Sequence, residues 1–229
     1  VDRDLKSAEE TVAMIQAKGG EAVPLRADVT VEADLANMVA ACQRHWGRID
    51  ILHNNVGVSI AGGDAPVTEI TVEAFDRVVA INLRGMVFAC KHTLPVMRQQ
   101  QAGVILTISS MAARTNYPLV GYKTTKAAVV AFTEQLAIQN AAHGIRANCI
   151  LPGLVDTAMA VDTRVRALNK SRAEIVAGRD AKVPLRAKMG TAWDIANAAL
   201  FLASDEAGFI TGVSLPVDGG SGVNVGGGP

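Results

Sequence analysis

Helical and strand-like stretches alternate along this chain, and that alternation constrains its fold more than any other feature of the sequence. Amphipathic runs with apolar residues at helical spacing are separated by short apolar runs typical of buried strands. Strands joined by helices pair in parallel and need helices on both faces of the sheet. The sequence therefore predicts an α/β fold, a single domain with a doubly wound parallel sheet in three layers. The predicted helices cover residues 5–18, 34–46, 71–98, 122–142 and 193–202, and the predicted strands cover 21–29, 49–54, 104–108, 146–151 and 213–217.

Composition excludes several classes of function. The 22 basic and 22 acidic residues give a net charge of zero, whereas a nucleic-acid-binding surface would need a basic surplus. No run of eighteen apolar residues occurs, so we expect a cytoplasmic protein with no membrane partner. Cys42, Cys90 and Cys149 are odd in number and widely spaced, which is typical of reduced core residues rather than of a metal site.

The ends of four predicted strands carry polar residues or glycines. These turns cover residues 28–29, 54–57, 109–110 and 152–157. In a doubly wound sheet, ligands bind beyond the carboxyl ends of the strands. The four turns therefore mark the predicted ligand site.

Tyr122 and Lys126 stand four residues apart on a predicted helix, so they share one face and can meet the same ligand. A positive charge beside a phenol favours the phenolate, and we expect Lys126 to lower the pKa of Tyr122 towards neutrality. A phenol with such a pKa is suited to general acid–base chemistry. The pair alone is a weak indication, because a tyrosine and a lysine at this spacing occur by chance in many helices.

Six other motifs accompany this pair in order: ADVT (27–30), NNVG (54–57), NLRG (82–85), ISS (108–110), PGLVDT (152–157) and ITGVSLPVDGG (210–220). Together with YKTTK at 122–126, they resemble the short-chain dehydrogenase/reductase family over nearly the whole chain. The resemblance implies a Rossmann-like sheet and a nicotinamide cofactor, NAD or NADP. It also implies a catalytic tetrad of Asn82, Ser110, Tyr122 and Lys126.

The resemblance assigns each member of the tetrad a role. Tyr122 would exchange a proton with the substrate oxygen, Ser110 would hydrogen-bond that oxygen, and Lys126 would hold the cofactor ribose. Asn82 would open its helix locally and hold a water that links the lysine to solvent. Ser109 stands thirteen residues before the tyrosine, the usual family spacing, and Ser110 stands twelve before it. We prefer Ser110, the second serine after the strand, and Ser109 remains the alternative.

The resemblance also assigns the cofactor contacts. The acidic Asp2 would accept hydrogen bonds from the adenosine ribose, which favours NAD, while the adjacent Arg3 leaves NADP open. Tyr122 and Lys126 belong to the same cofactor-binding set. Its other members are Asp28, Val29, Asn54, Gly57, Pro152, Gly153, Val155 and Thr157.

A dinucleotide site also needs a glycine-rich turn, about 20 residues before the ribose-binding acid. With that acid at Asp2, the turn would precede the first residue of this sequence. Gly222, Gly226 and Gly228 have a similar spacing, but no helix can follow them before Pro229. We therefore expect this sequence to be part of a longer chain, with about 30 further residues of strand and helix in front.

The stretch 159–184 corresponds to the family's variable substrate lid, within the single domain 1–229. It is polar, we expect it to be irregular, and six of its residues are basic: Arg164, Arg166, Lys170, Arg172, Arg179 and Lys182. These cations either lie on a solvated helix pair or recognise an anionic substrate. The residues expected on the substrate side are Ser59, Met111, Tyr117, Pro118 and Met159.

The resemblance implies an oxidoreductase that transfers a hydride between NAD(P) and a small-molecule alcohol or ketone, without a metal. Two alternatives stay open: a 3-oxoacyl-thioester reductase that uses NADPH, and a catalytically silent nucleotide-binding scaffold. The family also implies a homotetramer or homodimer, built through the long helices that here begin near Thr71 and Tyr122.

Overall fold

A computed structural model of the chain describes residues 1–224. The helices are α1 (Leu5–Gln16), α2 (Glu32–Trp46), α3 (Val72–Val79), α4 (Gly85–Gln100), α5 (Val120–Asn140), α6 (Thr163–Leu168), α7 (Arg172–Asp180) and α8 (Ala192–Ala203). The strands are β1 (Ile51–Asn54), β2 (Gly103–Ile108), β3 (Ile145–Pro152), β4 (Val155–Asp156), β5 (Gly190–Thr191) and β6 (Ser214–Val217). None of the helices in the described part of the chain combines the length and hydrophobicity needed to cross a bilayer. Gly226, Gly228 and the end of the predicted domain lie outside the described residues.

Four strands form one parallel sheet in the order β1-β2-β3-β6, and β4 and β5 form a separate short parallel pair. The register places Thr107 of β2 opposite Asn54 on one side and Cys149 on the other. Because the strands run the same way, the carboxyl ends of β1, β2 and β3, at Asn54, Ile108 and Pro152, lie along one edge of the sheet. The predicted doubly wound, single-domain α/β fold is confirmed.

Adjacent residues of β2 point to opposite faces of the sheet, and each face is covered by helices. On one face, Ile105 packs in a cluster that includes Met97 of α4 and Leu136 of α5. On the other face, Leu106 packs with Ala199 and Leu202 of α8. The two faces therefore have separate cores, and the sheet is the middle layer of three.

One expectation about local structure is wrong. In the predicted strand 21–29, only Arg26 pairs, through a single parallel bridge to Asp2. A strand needs a continuous ladder of partners, and this segment has one pairing.

The lid is less irregular than its polar sequence indicates. It contains a π-helical turn at Ala158–Asp162, followed by α6 and α7, which are the helix pair of the first interpretation. Ser171 begins α7 with a capping box, a pattern that the sequence carries.

We expect Leu106→Ala to lower the free energy of unfolding by about 2–5 kcal/mol, because it leaves a cavity at a position that is 1% exposed. Urea unfolding followed by circular dichroism measures this change. Val67→Ala is the matched control, since Val67 is 73% exposed and its truncation removes little buried surface. Equal losses in the two variants would contradict the packing of Leu106 between the sheet and α8.

Candidate active site

Tyr122 and Lys126 lie one turn apart on α5. The Lys126 Nζ lies 5.6 Å from the centre of the Tyr122 ring. It donates a hydrogen bond of 2.7 Å to the carbonyl oxygen of Ile108, the last residue of β2. Lys126 is 2% exposed, and its burial lowers its pKa to about 8. The start of α5 therefore brings a phenol and a buried amine to the carboxyl end of the sheet.

The pKa of Tyr122 is raised, so the expectation that Lys126 lowers it is wrong. Burial of the phenol is the largest cause, because it disfavours the charged form. The Ser110 hydroxyl acts in the opposite direction, Tyr117 adds to the rise, and the charge of Arg164 lowers the pKa slightly. The lysine ammonium is instead bound to a backbone carbonyl. The phenol is therefore held in its neutral form at neutral pH.

The adjacent serines 109 and 110 face different ways. Ser109 is buried, and its Oγ donates a hydrogen bond of 2.6 Å to the carbonyl oxygen of Lys126. The Ser110 hydroxyl lowers the pKa of the Tyr122 side chain, and its Oγ accepts from the Ala112 amide at 3.1 Å. Ser110 thus faces the phenol, while Ser109 fastens α5 to the end of β2.

Asn82 lies in a π-helical turn, Ala80–Arg84, which joins α3 to α4. Such a turn carries an extra residue and widens the helix, which is the local opening that the resemblance implies. The buried side chain bonds the backbone of Val58 twice: its Oδ1 accepts from the amide at 2.7 Å, and its Nδ2 donates to the carbonyl at 2.9 Å. Nδ2 also donates to the Thr125 Oγ1 of α5 at 3.2 Å. Asn82 therefore joins the loop after β1 to the helix that carries the phenol.

Asp64 is a site residue that the sequence motifs miss. Helix α5 follows Leu119, whose apolar side chain cannot accept a capping hydrogen bond. The Asp64 carboxylate, 7% exposed, accepts instead from the amides of Gly121 at 2.8 Å and Tyr122 at 2.7 Å. Because 57 residues separate Asp64 from Gly121, no local pattern marks the contact. The apolar residue at the helix start is the one signal in the sequence that another group must supply the cap.

A cavity of about 560 Å³ lies beside this site. Six predicted cofactor residues line it: Asp2, Arg3, Asp28, Val29, Asn54 and Gly57. A Cβ atom at Gly57 would lie 3.2 Å from the Lys126 Nζ, so the absence of a side chain there keeps the space beside the amine open. The cavity therefore extends from the charged side chains near the amino terminus to Gly57, which lies next to the buried amine.

The two carboxylates on the cavity wall already hold local hydrogen bonds. Asp28 accepts from the amide and the hydroxyl of Thr30 at 2.8 and 2.7 Å, and these bonds lower the pKa of Asp28. Asp2 accepts from the Asp4 amide at 2.9 Å. Arg3 is exposed beside it. This end of the cavity therefore carries both negatively and positively charged side chains.

The predicted cofactor residues at and after the end of β3 do not line this cavity. Gly153 packs so closely that a Cβ atom there would lie 2.6 Å from the Cβ of Asp218, and only glycine fits. Val155 is buried in β4, and the Thr157 Oγ1 accepts from the Ala160 amide at 3.2 Å, which begins the lid. These residues share the carboxyl edge of the sheet with the phenol. They are Pro152, Gly153, Val155 and Thr157.

Two residues expected on the substrate side meet next to the phenol. The Ser59 and Tyr117 hydroxyls are 3.2 Å apart, and the centres of the Tyr117 and Tyr122 rings are 5.4 Å apart. The three remaining residues of this group are the buried Met111 and the exposed Pro118 and Met159.

The chain is similar to known dehydrogenases over most of its length. A family model described as enoyl-(acyl carrier protein) reductase matches residues 1–222. A 2-(R)-hydroxypropyl-CoM dehydrogenase from Xanthobacter autotrophicus is 36% identical over 222 residues, 96% of this chain and 86% of the relative. A solved structure described as a short-chain dehydrogenase/reductase from Burkholderia xenovorans is 36% identical, with a TM-score of 0.89 over 98% of this chain and 84% of that chain. A structure of NAD⁺-bound xylitol dehydrogenase is 32% identical, with a TM-score of 0.88 over 96% and 86%.

Asp64→Ala is expected to loosen the start of α5, because the amides of Gly121 and Tyr122 lose their acceptor. The free energy of unfolding should fall by about 1–2 kcal/mol, the usual value of a helix cap. Hydrogen–deuterium exchange of the two amides should become faster, and mass spectrometry measures it. Asp76→Ala is the control, since it removes an exposed carboxylate from α3. Unchanged exchange at the start of α5 would contradict the capping role.

Lys126→Met is expected to change how stability depends on pH. Folding lowers the pKa of Lys126 from 10.5 to about 8, so between these values the unfolded chain holds a proton that the folded chain has lost. The free energy of unfolding of the wild type therefore gains a contribution that rises with pH across this interval, and the variant lacks it. Urea unfolding from about pH 7 to about pH 10.5 measures the difference, with the exposed Lys170→Met as control. A pH-independent difference between wild type and Lys126→Met would contradict a buried amine.

Proposed function

The chain belongs to the short-chain dehydrogenase/reductase family, and on that premise we propose that it transfers a hydride between NAD(P) and a secondary alcohol or its ketone. This membership agrees with the resemblance carried by the seven motifs. The observation that carries the proposal is the phenol of Tyr122, whose pKa the Ser110 hydroxyl lowers and which has the Lys126 amine on the same helix face. A neutral phenol beside a hydroxyl is a proton donor for a substrate oxygen.

The residues around the cavity fit a dinucleotide. Gly57 leaves space beside the Lys126 Nζ, where the amine would hold the ribose next to the nicotinamide. Asp28 and Val29 would contact adenine at the other end. Val155 and Thr157, together with Pro152 and Gly153, would hold the nicotinamide carboxamide. Residues 1–224 include no glycine-rich turn between a strand and a helix, so these contacts concern the adenosine and nicotinamide ends of the cofactor.

We propose NAD as the preferred cofactor. The Asp2 carboxylate would accept hydrogen bonds from the ribose hydroxyls and would repel a phosphate at that position. Arg3, on the same cavity wall, makes NADP the second choice. When bound, either cofactor supplies or accepts the hydride.

The side chains of this protein would handle the proton. In the direction of reduction, the Tyr122 hydroxyl gives its proton to the carbonyl oxygen of the substrate while Ser110 donates a hydrogen bond to the same oxygen. The Ser110 hydroxyl, which lowers the pKa of Tyr122, would also stabilise the phenolate that is left. Asn82 and Asp64 keep α5 and its phenol in position.

The raised pKa of Tyr122 favours reduction of the ketone at neutral pH. A protonated phenol can donate a proton at once, whereas oxidation of the alcohol needs a phenolate to accept one. Oxidation should therefore become faster as the pH rises towards the pKa of Tyr122.

Reduction of a 3-oxoacyl thioester with NADPH is the second candidate. The description of the family model names an acyl carrier protein, and Arg166, Lys170 and Lys182 form an exposed basic surface on the lid that could meet an acidic carrier. Asp2 counts against this candidate because it disfavours NADPH. The presence of all four tetrad residues argues against a silent scaffold.

We propose that the protein is a cytoplasmic homotetramer or homodimer. Its three cysteines are free thiols, which fits a reducing compartment. Ile138 on α5 and Leu200 on α8 are largely exposed, and Phe209 is fully exposed. Apolar side chains with such exposure are suited to contacts between copies of the chain.

Tyr122→Phe is expected to lower the turnover of a ketone with NADH by at least about 100-fold, because it removes the proton donor and keeps the ring. Steady-state kinetics measure turnover, and fluorescence titration of NADH measures cofactor binding, which should change little. Tyr117→Phe changes the only other tyrosine of the chain and should cause a smaller loss, since its hydroxyl contacts Ser59. Equal turnover of wild type and Tyr122→Phe would overturn the tyrosine mechanism and favour the silent scaffold.

A further inference from the structure

The lid carries two arginines that differ from its other basic residues. Arg164 on α6 and Arg179 on α7 are half-buried, whereas Arg166, Lys170 and Lys182 are exposed. A cation withdrawn from water normally has an anionic partner, because burial of an isolated charge is costly. The partners available to Arg164 and Arg179 therefore decide what these residues can do.

The carboxylates in the lid and just before it form their hydrogen bonds and ion pairs with groups other than Arg164 and Arg179. Asp156 and Asp162 both bind Arg172, at 2.6 and 3.4 Å. Glu174 completes the capping box at the start of α7. Asp180 accepts from a backbone amide at 2.8 Å. Arg172 thus binds Asp162 of the lid and Asp156 just before it, and groups at the start of α7 and the backbone bind Glu174 and Asp180. The charges of Asp156 and Asp180 raise the pKa of Arg179, but neither carboxylate forms an ion pair with it within residues 1–224.

Arg164 and Arg179 have only neutral partners. The Arg164 Nη1 donates to the carbonyl oxygen of Ala160 at 2.7 Å, and the Arg179 Nε faces the Met189 Sδ, a weak acceptor, at 3.2 Å. Within residues 1–224, neither guanidinium forms an ion pair. Burial, and next the like charge of Arg164, lower the pKa of Arg179, so the two guanidiniums lie close enough to repel each other. Among the described residues, each guanidinium makes one such contact, so most of its N–H groups have no protein acceptor.

Each of the two guanidiniums interacts electrostatically with a tyrosine of the candidate site. The charge of Arg164 acts on Tyr122, and Tyr117 acts on Arg179. The two tyrosine rings are themselves 5.4 Å apart. A buried apolar cluster that includes Val161 and Ile175 packs the lid helices together and fixes the backbone from which both arginines extend.

We propose that Arg164 and Arg179 form an oxyanion subsite next to Tyr117 and Tyr122, and that the substrate carries a carboxylate, phosphate or sulfonate besides its alcohol or ketone. This inference rests on the proposed function, because it names the substrate class of the same site. Two guanidiniums can bind such a group through paired, charge-assisted hydrogen bonds. The bound anion also removes the repulsion between the two cations. The lid then selects an anionic substrate and holds its other oxygen at the phenol.

Oxyanion binding tests the subsite without requiring turnover. Acetate, inorganic phosphate and sulfate are titrated calorimetrically into the wild type, Arg164→Gln, Arg179→Gln and the exposed control Arg166→Gln. We expect at least one anion to bind the wild type and Arg166→Gln equally, and to bind each of the other variants at least about ten-fold more weakly. The anion that binds most tightly distinguishes a carboxylate substrate from a phosphate or sulfonate one. Equal binding to all four proteins, or no binding to the wild type, overturns the subsite.

Turnover of a matched pair separates this inference from the proposed function. A hydroxy acid and its methyl ester are compared as substrates with NAD. We expect the wild type to prefer the acid in kcat/KM by at least about ten-fold, and Arg179→Gln to lose that preference while it still oxidises the ester. Anion binding without any alcohol turnover would overturn the proposed function and leave the subsite standing. Turnover with no preference for the acid, in wild type and variant alike, would overturn the subsite and leave the function standing.

Discussion

Two reciprocal hydrogen bonds join the end of β2 to the first two turns of α5, and the candidate site depends on them. The Ser109 Oγ donates to the carbonyl of Lys126 at 2.6 Å, and the Lys126 Nζ donates to the carbonyl of Ile108 at 2.7 Å. Both side chains are 2% exposed, so an unmade bond would leave a buried polar group without a partner, at a cost of about 1–3 kcal/mol. These two hydrogen bonds fix the position of α5 relative to the end of β2. They therefore fix Tyr122, one turn earlier on the helix, relative to Ser110, the residue that follows Ser109.

Helix α5 is also held from two distant segments. Asp64 caps its start, and Asn82 bonds Thr125 while it clamps the backbone of Val58. These two segments, together with the end of β2, thus determine the position of one phenol. Such fixed placement reduces the reorganisation that proton transfer would otherwise need.

Burial, more than pairing of charges, sets the protonation of the site. It lowers the pKa of Lys126 and raises that of Tyr122, so both groups shift towards their neutral forms. The cation that acts on the phenol is instead Arg164 of the lid, which is charged at any physiological pH. In the proposed function, separate elements would therefore carry chemistry and substrate recognition: the helix on the sheet would hold the proton, and the lid would supply the positive charge.

The alternation of apolar runs was sufficient to predict the parallel sheet, its flanking helices and the edge at which the site lies, because periodicity and strand ends are local properties. Local spacing also placed Tyr122 and Lys126 on one helix face. The sequence alone could not decide whether Lys126 would lower the pKa of Tyr122, since that depends on which acceptor takes the ammonium and how deeply the phenol is buried. Nor could it single out Asp64, which reaches α5 across 57 residues, or separate Arg164 and Arg179 from the exposed cations of the lid. Folding decided these points, because hydrogen bonds between distant segments and the removal of water exist only once the segments are packed together.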